Sequence, residues 1–180
     1  MSDTLNLPAA TAPSPNRWAE VRVAEQVTRY VRRGVGHPVV VLRAGAGDAE
    51  LWPALVETMI AAHCRVILPE VPDAAAGFAS WIRGFLDGVG LPPITLIAVG
   101  HFCVPALELA LLDAERLARL VLVPCGRAEE TGLAGALSTT ARAGSPLPIL
   151  VVRRECPATE ALALVERFVA GESGSLAAGV

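Results

Sequence analysis

Short runs of β-branched residues alternate along this chain with stretches of helical period, and that rhythm limits the fold more than any other feature. The apolar run 38–42 passes through a Gly-rich turn into a helical stretch at 50–62. A second run at 65–68 is followed by a helix at 77–88, a strand at 94–99, a helix at 105–112 and a strand at 117–123. A last strand at 148–152 precedes a helix at 159–170. Apolar runs too short for helices, joined by amphipathic ones, imply parallel strands connected by crossovers. Crossover helices cover such strands on both faces, so the fold class is α/β, a mostly parallel sheet with helices on either side. Ligands of open α/β sheets bind beyond the carboxyl ends of the strands, and functional residues are sought there.

Upstream of this alternation, Val21 and Val23, then Val27, Tyr30 and Val31, flank a polar Glu25-Gln26 turn and stop at Gly34-Val35-Gly36. This pattern suits an antiparallel hairpin. Val21, Ala24, Val27 and Val31 also fit one face of a helix over 17–33. The hairpin is the reading adopted. Residues 1–16 are rich in Ala, Pro, Ser and Thr without hydrophobic period and read as a flexible tail, with 173–180 as another. One domain then spans 17–172.

Composition narrows the chemistry. With 53% apolar residues in 180, mostly Ala, Leu and Val, the chain can bury a core without metal or disulfide support. No apolar run is long enough to cross a bilayer, and the first residues have neither a basic nor an apolar leader region. The expectation is a cytoplasmic protein with no membrane segment. A net charge of -3 without an Arg-rich block excludes nucleic-acid binding. All fifteen basic residues are Arg, which removes lysine Schiff-base chemistry and the lysine of a phosphate-binding P-loop. Cys64, Cys103, Cys125 and Cys156 include no C-x-x-C pair, so neither a zinc ribbon nor a thioredoxin motif is present. In the cytosol these are thiols. No cofactor is implied.

The stretch Arg33-Gly34-Val35-Gly36-His37-Pro38-Val39-Val40-Val41-Leu42, with its Gly-rich turn and Leu51-Trp52, resembles the third strand and oxyanion loop of the α/β-hydrolase family. Arg65-Val66-Ile67-Leu68 and Pro69-Glu70-Val71-Pro72 resemble the next strand with its acidic-x-Pro ending. The segment 94–101 resembles the strand leading to the nucleophile elbow, and 106–123 the helix and strand after it. In order, the resemblance covers roughly residues 20–155. It implies a minimal α/β-hydrolase-like domain with no cap, because only some two dozen residues separate 123 from 148. The terminal strand of the family also has no counterpart.

Position by position, the family's chemistry does not carry over. The elbow Gly-x-Ser-x-Gly reads Gly100-His101-Phe102-Cys103-Val104, which puts Phe102 where the serine belongs. A phenyl ring cannot attack a carbonyl. The family's histidine follows the last strand, and none of His37, His63 and His101 lies there. The acid position before Pro157 is Cys156, and neighbouring Glu155 has no histidine to orient. The oxyanion-loop His-Gly reads Arg43-Ala44, followed by Gly45-Ala46-Gly47, where backbone donors remain. An oxyanion hole without nucleophile and base supplies only part of the rate.

Other residues near the strand ends are candidates on their own chemistry. Cys103, Cys125 and Cys156 each follow a different strand; if those strands are neighbours, the thiols and His101 line one sheet edge at metal-ligand or redox distances. The ordinary reading is cysteine as a small buried hydrophobe. Cys103 alone, with His101 two residues away, is a candidate displaced nucleophile. Arg43, Asp48, Glu50, Glu70, Arg127, Arg153 and Arg154 are candidates for holding an anionic ligand, since the Arg fork pairs with carboxylate or phosphate. Gly45 and Phe102 complete the candidate binding set. These observations point to a non-catalytic binding or accessory protein, self-associating or held by a protein partner, with a small anionic or acyl ligand. The rival is a small esterase or thioesterase working through Cys103.

Overall fold

A hairpin opens the fold. In it β1 (Arg17–Val23) and β2 (Gln26–Arg33) pair antiparallel from Arg17↔Arg32 to Val23↔Gln26. The reversal falls on Ala24-Glu25, one residue earlier than the sequence pattern suggests, with Ala24 at φ +51°. The computed structural model describes residues 17–43, 51–72, 77–142, 146–153 and 155–171. The expected tails at 1–16 and 173–180 lie outside these.

From β3 onwards strand and helix alternate: β3 (His37–Leu42), α1 (Leu51–Ala61), β4 (Cys64–Pro69), α2 (Phe78–Val89), β5 (Ile94–Val99), α3 (Cys103–Leu112), β6 (Leu117–Val123), α4 (Arg127–Arg142), β7 (Ile149–Val151) and α5 (Ala158–Ala170). The seven strands form one sheet in the order β1-β2-β4-β3-β5-β6-β7. Strands β4, β3, β5, β6 and β7 are parallel, and β2 joins β4 antiparallel. All six residues of β5 are buried, as a central parallel strand covered on both faces requires.

Alternate strand residues feed two separate cores. Val40, Leu42, Leu96, Ala98, Leu120 and Leu122 point to one face, where Phe85 of α2, Leu107 of α3 and Leu133 of α4 cover them. Val39, Val41, Ile97, Val99 and Val121 point to the other, under Met59 of α1 and Val165 and Phe168 of α5. The period of two along each strand thus produces a sheet between two helical layers.

Three local expectations need correction. Helix α3 starts at Cys103 rather than residue 105: Pro105 sits in its first turn, where an N–H would have no intrahelical partner in any case. Strand β7 is shorter than the run 148–152, although Pro148 and Val152 each keep one backbone hydrogen bond to β6. Helix α4 fills the segment between β6 and β7, which the apolar pattern left without an element. Its Gly, Ser and Thr content hides a face on which Leu133 is, among the described residues, the one fully buried side chain. No helix among the described residues is long and apolar enough to cross a membrane.

Candidate functional site

Strands β3 and β5 lie side by side, with Leu42 opposite Ala98, yet the chain leaves them for opposite faces of the sheet. After β3 it runs to α1 over one core, and after β5 to α3 over the other. Diverging connections of this kind open a crevice at the carboxyl ends of the two strands. Arg43 is exposed just beyond β3. Gly45, Asp48 and Glu50, candidates from the same loop, lie outside the described residues.

The strand-to-helix turn after β5 is made at Gly100. Val99 is still extended (φ -126°, ψ 137°), Gly100 takes φ +61°, and Phe102 is already right-handed helical (φ -77°, ψ -11°). Reversing direction within one residue demands a positive φ, which glycine adopts freely and phenylalanine does not. The strained position of the elbow is therefore Gly100, two residues before the position that the motif comparison gave to Phe102. Phe102 is only 7% exposed, its ring centroid 5.9 Å from that of Phe78. This candidate for the binding surface packs in the core. Neither residue offers a nucleophile: one has no side chain, the other an inert ring.

The space above Gly100 has specific walls. A side-chain carbon on Gly100 would stand 3.5 Å from Glu129 Oε1 and 3.8 Å from Cys125 Sγ. Glu129, the third residue of α4, reaches back with Oε2 to accept the backbone N–H groups of Cys125 (2.8 Å) and Gly126 (3.0 Å). This is the carboxylate half of a capping box, and it satisfies two donors at the helix start. The signal was present in the sequence as Gly126 followed three residues later by Glu129. It was missed because no helix was expected there.

The three strand-end cysteines lie in different surroundings. Cys103 is fully buried, and its thiol donates to the Ala98 carbonyl oxygen at 3.4 Å, while His101 is exposed. Burial pushes the Cys103 thiol up to about 12; a backbone hydrogen bond from Val123 opposes the rise, and Glu129 and Cys125 add to it. A displaced nucleophile requires the opposite shift. Strands β5, β6 and β7 are indeed neighbours, but Cys103 packs in one core, Cys125 is exposed and Cys156 packs against the other core. Among the described residues no three His, Cys, Asp or Glu side chains are grouped to hold a metal ion.

The remaining candidates are spread out. Arg127 is exposed at the first position of α4, Arg153 is exposed beyond β7, and Glu70 is exposed beyond β4. Arg154 lies outside the described residues. Of the three histidines, His37 begins β3, with Nε2 2.9 Å from Thr95 Oγ1, and His63 immediately precedes β4. Both are at the amino ends of their strands, across the sheet from the crevice. Only His101 is at the carboxyl end.

No protein-family model matches the sequence, and no curated protein matches it. Among solved structures, the chain is similar to a carboxylesterase from Bacillus subtilis at 20% identity and TM-score 0.53, covering 62% of this chain and 44% of that one. An epoxide hydrolase from Vigna radiata follows at 16% identity and TM-score 0.52, covering 63% and 40%. A bromoperoxidase from Bacillus anthracis matches at 17% identity and TM-score 0.50, covering 59% and 44%. The chain thus spans less than half the length of each of these structures. Strand order, the two helical layers and these similarities agree: the chain has the α/β-hydrolase fold.

Proposed function

We propose that this protein is a non-catalytic binding or accessory protein built on the α/β-hydrolase fold, with its ligand site at the carboxyl ends of β3, β5 and β6. Gly100 carries this reading. A hydrolase of this fold exposes its nucleophile on the strained residue of the strand-to-helix turn, and here that residue has no side chain. The histidines add support, since two of three sit at the amino ends of their strands and the thiol nearest His101 in sequence, Cys103, is buried and donates to the Ala98 carbonyl oxygen.

What remains in the crevice suits recognition. The N–H groups of His101 and Phe102 follow Gly100 at the start of a helical segment, where backbone donors lack earlier carbonyl partners and favour an anion or a polarised acyl oxygen. Arg43 adds a cation one residue beyond the Leu42–Ala98 pair. A small anionic or acyl ligand fits this set. The same reading has the protein working in the cytoplasm and in an assembly, as a homo-oligomer or with a protein partner. Strands β1 and β7 end the sheet, and Ile149, Leu150 and Val151 stay only partly buried.

The activities of the similar structures define the screen: carboxylic esters, thioesters and epoxides, with the wild-type chain and the His101→Ala, Cys103→Ala and Cys125→Ala variants. The expected result is no turnover above the heat-denatured control. Turnover lost in any one of these variants would overturn the reading in favour of an enzyme.

A further inference from the structure

We infer that two copies of this chain pair antiparallel along β1, about a two-fold axis through Val21, to make one continuous sheet. The inference rests on the reading that the protein works in an assembly, and it names the surface and the partner.

Strand β1 is a seven-residue edge with a defined inner face. Ala19, Val21 and Val23 turn toward α2, whose Gly84 and Gly88 allow the helix to lie directly on Val23 and Val21. That packing fixes the strand before any partner arrives, so little ordering is needed on association. The two-residue turn makes Val23–Gln26 a hydrogen-bonded pair, and odd-numbered residues of β1 direct their N–H and C=O groups to β2. Those of Trp18, Glu20 and Arg22 consequently face the open side. Unpaired backbone groups in a row are a template for a second strand.

The exposed side chains select which strand. Charges on an edge usually keep other strands away, but here Glu20 and Arg22 are opposite in sign and two positions apart. In an antiparallel pair centred on Val21, Glu20 of one copy stands opposite Arg22 of the other, twice, by symmetry. Centring on Glu20 or Arg22 instead would set like charges against each other. Glu20 also meets Arg29 of β2 at 3.5 Å, whereas Arg22 makes no ion pair among the described residues. The Val21-centred register also sets the second copy's Arg22 diagonally beside Trp18. That ring is 56% exposed, with the Arg29 guanidinium 5.6 Å from its centroid. A second copy therefore satisfies the edge hydrogen bonds, the Arg22 guanidinium and the exposed indole together.

Sedimentation of the full chain over a concentration series tests the pairing, with hydrogen exchange on the same samples and circular dichroism to establish that each variant is folded. The wild type should dimerise, with the Glu20 and Arg22 amides protected only in the dimer. Glu20→Arg and Arg22→Glu should each weaken dimerisation at least about tenfold, and the charge-swapped double variant should restore it. A dimer indifferent to the single reversals would overturn edge pairing through β1 while leaving self-association intact. A chain that stays monomeric at every soluble concentration would overturn both pairing and self-association. Protection of those two amides already in the monomer would show that the edge is covered within one chain, again overturning the inference.

Discussion

Gly100 reorganises the reading of the elbow at the level of a single residue. The motif was legible in the sequence, but its register was not: Gly100-His101-Phe102 aligns by letter with Gly-x-Ser, whereas backbone direction is set by φ, which letters do not record. A serine at Gly100 separates the two. Its side-chain carbon would meet Glu129 and Cys125 only at ordinary contact distance, so the cost is the left-handed backbone, about 1–2 kcal/mol. Gly100→Ser should lower the melting temperature by a few degrees and still show no ester turnover, because two of the three histidines lie at the amino ends of their strands and His101 is exposed. Appearance of an acyl-enzyme in that variant would mean that His101 can serve as base. The cysteines were legible only as positions after strands. Whether they met depended on which core each faces, and Cys103 and Cys156 face different ones.

Among the elements, apolar period found every strand of the parallel sheet and missed one helix. β3, β5 and β6 announce themselves because strands buried on both faces are continuous apolar runs. Helix α4 buries so narrow a face that its sequence reads as loop, and its start is fixed by Glu129 instead of by hydrophobic pattern. Two glycines that look alike in sequence should respond to alanine with opposite sign. In α2, a methyl on Gly88 would overlap Val21 Cγ2, and the stiff β-branched side chain has nowhere to go. Gly88→Ala should therefore destabilise by about 1–2 kcal/mol after the gain in helix propensity is subtracted. In α4, a methyl on Gly135 meets nothing within 4 Å among the described residues, so Gly135→Ala should stabilise by roughly 1 kcal/mol. Urea denaturation of both variants checks the pair; equal signs would mean that α2 is not seated on β1 as described.

For the molecule as a whole, acid response should trace to the amino end of the sheet. Burial, with Arg119 adding to it, holds the His37 imidazole below its ordinary 6.5. The unfolded chain therefore takes up this proton first as pH falls. The contribution to stability is fully present above about 6.5 and is lost as pH drops through the lower folded value. His37→Asn should flatten the change in melting temperature between about pH 7.5 and pH 5; the same slope in both proteins would assign the acid sensitivity elsewhere. Strand order was not legible from alternation alone, since a run of apolar residues does not say which run it will lie beside. The resemblance bore only on the strands before Cys103, Cys125 and Cys156, which would be neighbours if the family's order held, and β5, β6 and β7 do lie side by side.

That order also governs how the chain emerges from the ribosome. The hairpin is made first, but β2 finds its second neighbour only in β4, and β3, synthesised between them, must wait for β4 and β5 to be enclosed. Until Cys64–Pro69 has been released, the nascent chain displays a two-stranded ribbon without its β4 partner and the bare apolar strand His37–Leu42. A ribbon of that size is marginally stable by itself, and exposed strand edges are the surfaces by which nascent chains aggregate. The topology that seats Gly100 at the centre of the finished sheet thus imposes a period of vulnerability during synthesis, in which chaperone protection of the first half would raise the yield of folded protein.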